Sequence, residues 1–265
     1  MNTVDEGRAG RVWASIDAIA RREGAPPSIR HVCLACAAEL KAGVGLSMTR
    51  DGGLREPVFA TDPASEELQE LQFTLGEGPC VDALTRHGTV LAADLSGVEY
   101  ERRWPIFAPA VRERGIEAVF SFPVQAGAVR FGVLDVYRPE AGPLCPDELT
   151  DALLYADAAF GLALDDQGGI TATVNNLLGD GFVGRQAALH QAAGMVSVQL
   201  GVTVAEGLAR LRGYAFANDL RLGSLAVEVV ARRLRFHPDA LPPGAGGPRD
   251  NGADPSTGTT KDVDR

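Results

Sequence analysis

Seven arginines and no lysine lie between residues 185 and 236, against only Glu206, Asp219 and Glu228, in a chain whose formal net charge is -10. That stretch carries +4 while residues 1-184 carry -12, so the basic charge is a local reversal that the average conceals. A guanidinium presents a planar fork that fits phosphate oxygens and base edges better than an ammonium does. Arg210 and Tyr214 are one helical turn apart, where a guanidinium and a phenol ring can together hold a phosphate and stack a base. Arg212 falls on the other flank, and Arg185 and Arg221 add to the excess. A single exposed arginine is more often plain solvated surface. Arg232, Arg233 and Arg235 fall in what reads as the last turn of a helix over about 220-236, where the helix dipole alone favours cations.

Three helices must position these groups. In "LHQAAGMVSVQLG", Leu189 to Gly201, the residues Leu189, Ala192, Val196 and Leu200 form one apolar stripe at 3.6-residue spacing. Gln186, His190, Gly194 and Ser197 occupy another side. Glycine in a helix interior costs about 1 kcal/mol relative to alanine, so Gly194 predicts a close approach by a backbone or a ligand there. "TVAE" at 203-206 is a capping box, with Thr203 and Glu206 satisfying free backbone donors at the start of the second helix. Val204, Leu208, Leu211 and Ala215 are its expected buried stripe; Leu222, Leu225, Ala226, Val229 and Val230 serve the third.

A second informative stretch is "LQFTLGEGPCVDAL", residues 71-84. Gly76 and Gly78 permit a tight backbone path, Pro79 suits a first helical position, and Cys80 and Asp82 would occupy that helix's first turn. A helix N-terminus favours thiolate, although such a cysteine is more often a small buried hydrophobe. The stretch lacks the lysine and serine or threonine that follow a phosphate loop. "HVCLAC" holds a C-x-x-C at Cys33 and Cys36, but no second pair at zinc spacing follows and the segment reads as an apolar helix. His31, His87, His190 and His237 form no acid-base or metal pattern, so no metal is expected and an enzyme is not the leading reading.

Around these stretches the chain reads as α+β followed by all-α. A helix is expected over 11-22 and another from Ser28, in "SIRHVCLACAAEL". Strand-like runs fall at 43-50, 55-62, 88-95, 116-124 and 128-138, interrupted by helical segments around 63-73 and 104-114. "QAGA" between the last two runs is a hairpin candidate, and a long amphipathic helix fits 146-166. The expected divisions are an N-terminal helix in 1-27, a sheet domain in 28-166, a connector in 167-184, a helical module in 185-236 and a tail in 237-265. Five prolines, five glycines and few apolar residues among the 29 of the tail predict disorder. No apolar run approaches a membrane span, and no signal-peptide plan opens the chain, so a cytoplasmic protein is expected.

The stretch 185-236 resembles an ANTAR domain, the RNA-binding module of bacterial transcription antiterminators. The likeness rests on "QA-x-G-M" at Gln191 to Met195, "LR-x-x-A" at Leu211 to Ala215 and "A-x-x-V-V" at Ala226 to Val230. Many members have lysine or threonine where this chain has Ala193. Residues 28-166, with "LGEGPC", resemble the GAF domain that commonly precedes such a module in actinobacterial regulators: an antiparallel sheet flanked by helices that senses varied small ligands. The resemblance implies a signal-responsive homodimer that binds paired hairpins in nascent transcripts and prevents termination. It implies an RNA surface at Arg185, His190, Gln191, Gly194, Arg210, Arg212, Tyr214 and Arg221, and ligand sensing near Gly76, Gly78, Cys80 and Asp82; it names no cofactor or ligand. The helix at 146-166 is the expected coupler of the two parts. A rival reading has the C-terminal helices bind an acidic protein, with the arginines as a soluble rim.

Overall fold

The structure, a computed structural model, describes residues 3-49, 55-86, 88-127, 129-165 and 180-237. Helices α1 (Thr3–Glu23) and α2 (Ile29–Leu40) precede strands β1 (Gly43–Thr49) and β2 (Arg55–Ala60). Next come α3 (Pro63–Leu75), α4 (Pro79–Arg86), β3 (Val90–Ala92), α5 (Val98–Arg103) and α6 (Phe107–Arg112). The sheet is completed by β4 (Ala118–Ala126) and β5 (Val129–Arg138), followed by α7 (Pro146–Asp165). Helices α8 (Asp180–Leu200), α9 (Val204–Ala217) and α10 (Leu222–Val230) end the described chain.

The five strands form an antiparallel sheet in the order β2-β1-β5-β4-β3. Its strands alternate with period two, which sends successive side chains to opposite faces. Val44, Leu46, Phe120, Phe122, Leu134 and Val136 meet α1, α2 and α7 on one face, whereas Val119, Val133 and Tyr137 meet α3 to α6 on the other. An α+β fold with helices on both faces of a five-stranded antiparallel sheet is therefore established for the first part of the chain. The expected hairpin forms: β4 and β5 pair as far as Ala126 and Val129, across Gly127 at φ 57°.

Local chemistry fixes α3 at both ends. The Asp62 carboxylate accepts the Ser65 amide at 2.9 Å, Pro63 opens the helix, and Gly76 closes it in the left-handed region at φ 70°. The expected capping box is present at α9, where Thr203 accepts the Glu206 amide at 3.2 Å and Glu206 accepts the Thr203 amide at 2.9 Å. These bonds hold the exposed Glu206 carboxyl below its usual range.

Several expectations change. The first helix begins at Thr3, and the helix containing Arg185 begins at Asp180, inside the stretch read as connector; residues 166-179 and the tail beyond His237 lie outside the described residues. The third C-terminal helix stops at Val230, so Arg232, Arg233 and Arg235 follow it instead of filling its last turn. Arg232 is left-handed at φ 59°, and the Arg233 and Leu234 amides turn back to the Glu228 carbonyl. Helix α7, the expected coupler, buries Ala152, Tyr155, Ala156, Ala159 and Ala163 in the sheet domain, and α3 makes contact with the C-terminal helices.

Candidate functional site

The α3-facing side of the sheet is unusually polar at its centre. Asp135 of β5 is fully buried, in register with Gly45 of β1 on one side and Ser121 of β4 on the other. Ser121 Oγ donates to Asp135 Oδ1, and Tyr137 Oη donates to Asp135 Oδ2 at 3.3 Å. Gln72 descends from α3 into this group. Its Nε2 lies 3.3 Å from Asp135 Oδ2 and 3.2 Å from Tyr137 Oη, while its Oε1 accepts the Cys80 amide at 2.8 Å. Burial, and then the Asp135 carboxylate, push the Tyr137 phenol well above its ordinary range, so it remains a donor. A buried carboxylate is tolerated when its lone pairs are taken up in this way.

The "LGEGPC" loop wraps around the same glutamine. Gly78 has φ 127°, and a Cβ there would come within 2.6 Å of Gln72 Oε1, so glycine is required both by backbone and by space. Cys80, in the first turn of α4, is buried in the core it shares with Trp104 and Tyr137. Asp82 is engaged elsewhere: Arg103 Nε and, at 3.2 Å, Trp104 Nε1 donate to its Oδ2. Glu77 accepts the Ile106 and Phe107 amides at 2.8 and 2.7 Å, fastening the loop to the start of α6. Gly78 and Cys80 thus converge on Gln72, whereas Asp82 joins α4 to the α5 end.

Sequence reasoning did not reach Gln72, Ser121, Asp135 or Tyr137. The available signal was Asp135 in the strand "VRFGVLDVYR", at a position whose parity faces a covered side. The C-x-x-C cysteines are buried in α2; burial pushes the Cys33 thiol up to about 12 and Cys36 well above its ordinary range. Among the described residues, no three metal-ligand side chains converge.

The three C-terminal helices share a core of Leu189, Ala192, Val196, Leu211, Ala215, Leu222, Leu225, Ala226 and Val229. In α9 the buried face is rotated from the expected one. Val204 is exposed, and Gly207 takes its place against α8, where a Cβ would come within 2.7 Å of the Ala193 carbonyl. Gly194 has no such neighbour: a Cβ there would meet open space, so the expected close approach belongs to Gly207.

Of the expected RNA residues, His190, Gln191, Arg210 and Arg221 are exposed, and Gly194, Arg212 and Tyr214 are half-buried. Arg185 lies on α8, with its side chain outside the described ones. The Tyr214 ring makes an edge contact with Phe236 at a centroid distance of 5.3 Å, and the Phe236 amide donates to Gln199 Oε1 at 2.8 Å. Arg221 Nη1 pairs with Glu66 of α3 at 2.8 Å, and Arg212 lies against Gly76. Ser197 of the polar side donates to the Val202 carbonyl, in the turn between α8 and α9, at 2.6 Å.

The fold therefore defines an α+β sheet domain with a polar cluster around the buried Asp135, joined to a small arginine-bearing helical unit. No protein-family model matches the chain, and no curated protein matches it in sequence. Among solved structures, it is similar to the GAF domain of a phosphoenolpyruvate-protein phosphotransferase from Coxiella burnetii, at 16% identity and TM-score 0.45, over 60% of this chain and 96% of that one. A GAF domain from an Acinetobacter phosphoenolpyruvate-protein phosphotransferase is similar at 14% identity and TM-score 0.46, over 63% of this chain and 97% of that one. At such scores the likeness is loose and assigns this chain no ligand. Among the described residues, no single helix is long and apolar enough to cross a membrane.

Proposed function

We propose that the chain is a signal-responsive RNA-binding regulator, a GAF-like sensor followed by an ANTAR-like module, that binds paired hairpins in nascent cytoplasmic transcripts and prevents termination. The observation that supports it most is the packing of α8 to α10. Their apolar stripes are buried against one another, while His190, Gln191 and Arg210 stay in solvent on a unit of net positive charge. Phosphate contacts from arginine and stacking on exposed rings suit such a surface to structured RNA. Homodimerisation is part of the same reading.

In this reading the sensing step acts on Gln72, a buried side chain whose partners a ligand would have to replace. A small molecule with an amide-like donor and acceptor could take over its bonds to Asp135, Tyr137 and the Cys80 amide, and so displace α3. No covalent step is required.

Binding of the full chain to a paired-hairpin RNA and to a loop-scrambled control, at one salt concentration, tests the RNA reading. Loop-dependent binding that weakens on Arg210→Ala is expected. Equal, weak binding to both RNAs would instead favour the acidic-protein partner.

A further inference from the structure

Helix α3 has two working faces. Its inner face carries Gln72 into the polar cluster around Asp135, while its outer face carries Glu66, Glu70 and Phe73 to the C-terminal helices. Glu66 Oε1 pairs with Arg221 Nη1 at 2.8 Å. Glu70 Oε1 accepts the Leu222 amide at 3.0 Å, the first backbone donor of α10. Arg221 occupies that helix's N-cap position and makes no side-chain cap there, so a carboxylate from α3 supplies the missing acceptor. Phe73, only 7% exposed, belongs to the core of the C-terminal helices although it comes from the sheet domain. At the end of α3, an Arg212 guanidinium nitrogen lies 2.9 Å from where a Gly76 Cβ would stand, so this arginine reaches the C-terminal end of α3.

We propose that the acidic outer face of α3 is an intramolecular competitor for RNA: when the helical unit is docked on it, Arg212 and Arg221 are withheld from the nucleic-acid backbone. This rests on the RNA-binding reading above and adds its regulation. Glu66 and Glu70 present carboxylates where an RNA would present phosphates, to a guanidinium and to a helix N-terminus, both of which accept either anion. The Glu66–Arg221 pair is solvent-exposed on both sides, at 56% and 62%, and such pairs are weak. A weak clasp suits a reversible latch. Undocking also uncovers Phe73, which gives the docked state an apolar contribution independent of salt. Because Gln72 and Glu70 lie on one short helix, displacement of the inner face moves the outer one. The two sites thus share one helix, through which linkage between them would run.

The test uses the full chain and its Glu66→Ala/Glu70→Ala variant, with the paired-hairpin RNA and its loop-scrambled control at fixed salt. Glu66→Gln/Glu70→Gln serves as a near-isosteric second variant should the first fold poorly. Glu99→Ala/Glu140→Ala removes the same charge from exposed sites elsewhere on the sheet domain and controls for net charge. Hydrogen exchange at the Leu222 amide reports docking without reference to RNA affinity. The expected result is about fivefold or greater tightening for the α3 variants and none for the control, with faster Leu222 exchange in the unsubstituted protein when RNA is added. Loop-dependent binding of equal strength in the unsubstituted protein and the α3 variants, with Leu222 still protected in the complex, overturns the latch and leaves the RNA reading intact. Released variants with fast Leu222 exchange that still fail to distinguish the two RNAs overturn the RNA reading, and the competitor with it.

Discussion

The Cys80 amide donates to the Gln72 side-chain oxygen at 2.8 Å, which ties the glycine-bearing loop to the helix before it. The nitrogen of the same amide group faces Asp135 and Tyr137, so one neutral side chain joins loop, helix and central strands. Its removal takes one donor from the buried Asp135 carboxyl group and one acceptor from the Cys80 amide. Gln72→Leu is expected to destabilise the protein by about 2-4 kcal/mol, because unsatisfied buried groups cost more than their bonds contribute. Urea denaturation measures this; a loss below about 1 kcal/mol would show that the cluster is held without Gln72.

Gly207 and Gly194 make a matched pair, both helical and only one crowded. Gly207→Ala places a methyl within 2.7 Å of the Ala193 carbonyl and must push α9 from α8. A loss of about 1-3 kcal/mol is expected. Gly194→Ala enters open space and should gain up to about 1 kcal/mol from helix propensity. Thermal melting of the two variants should therefore shift in opposite directions. Equal shifts would contradict the packing of α8 on α9.

The thiols should divide three to one. Cys33, Cys36 and Cys80 are buried and Cys145 is exposed. With its thiol pushed up to about 12 by burial, Cys33 holds almost no thiolate at neutral pH. A chromogenic disulfide reagent should react with one equivalent quickly, and with the remaining three only in denaturant. Fast reaction of a second thiol, absent in Cys80→Ser, would restore the reactive reading of Cys80.

Glu148 sets an acid limb. Its carboxylate accepts from Arg138 at 2.6 Å and from the Cys145 amide at 2.7 Å, which holds it below the ordinary 4.5. A lowered folded value means stability that is fully present above 4.5 and is lost as pH falls through the folded value. Glu148→Gln should therefore be less stable than the unsubstituted protein at neutral pH and approach it in acid. Melting curves across the acid range check this, and a difference independent of pH would exclude an ionic role.

The sequence alone determined the local elements. Period-two runs named the sheet strands, and Thr203 and Glu206 fixed the start of α9, since each depends on residues a few positions apart. Charge was legible in the same way, because arginines can be counted without knowing where they point. Tertiary structure decided everything that joins distant residues. Nothing in the spacing shows that Gln72 meets Asp135 and Tyr137, sixty-odd positions away, or that Gly207 and not Gly194 takes the close helix contact. The α9 stripe could not be phased from its own pattern, since Val204 is apolar yet exposed in the first turn. The choice of α3 over α7 as the meeting point likewise follows from which apolar face the sheet has already covered: α7 packs its alanines on the sheet domain, and α3 keeps Glu66, Glu70 and Phe73 for the helices that follow.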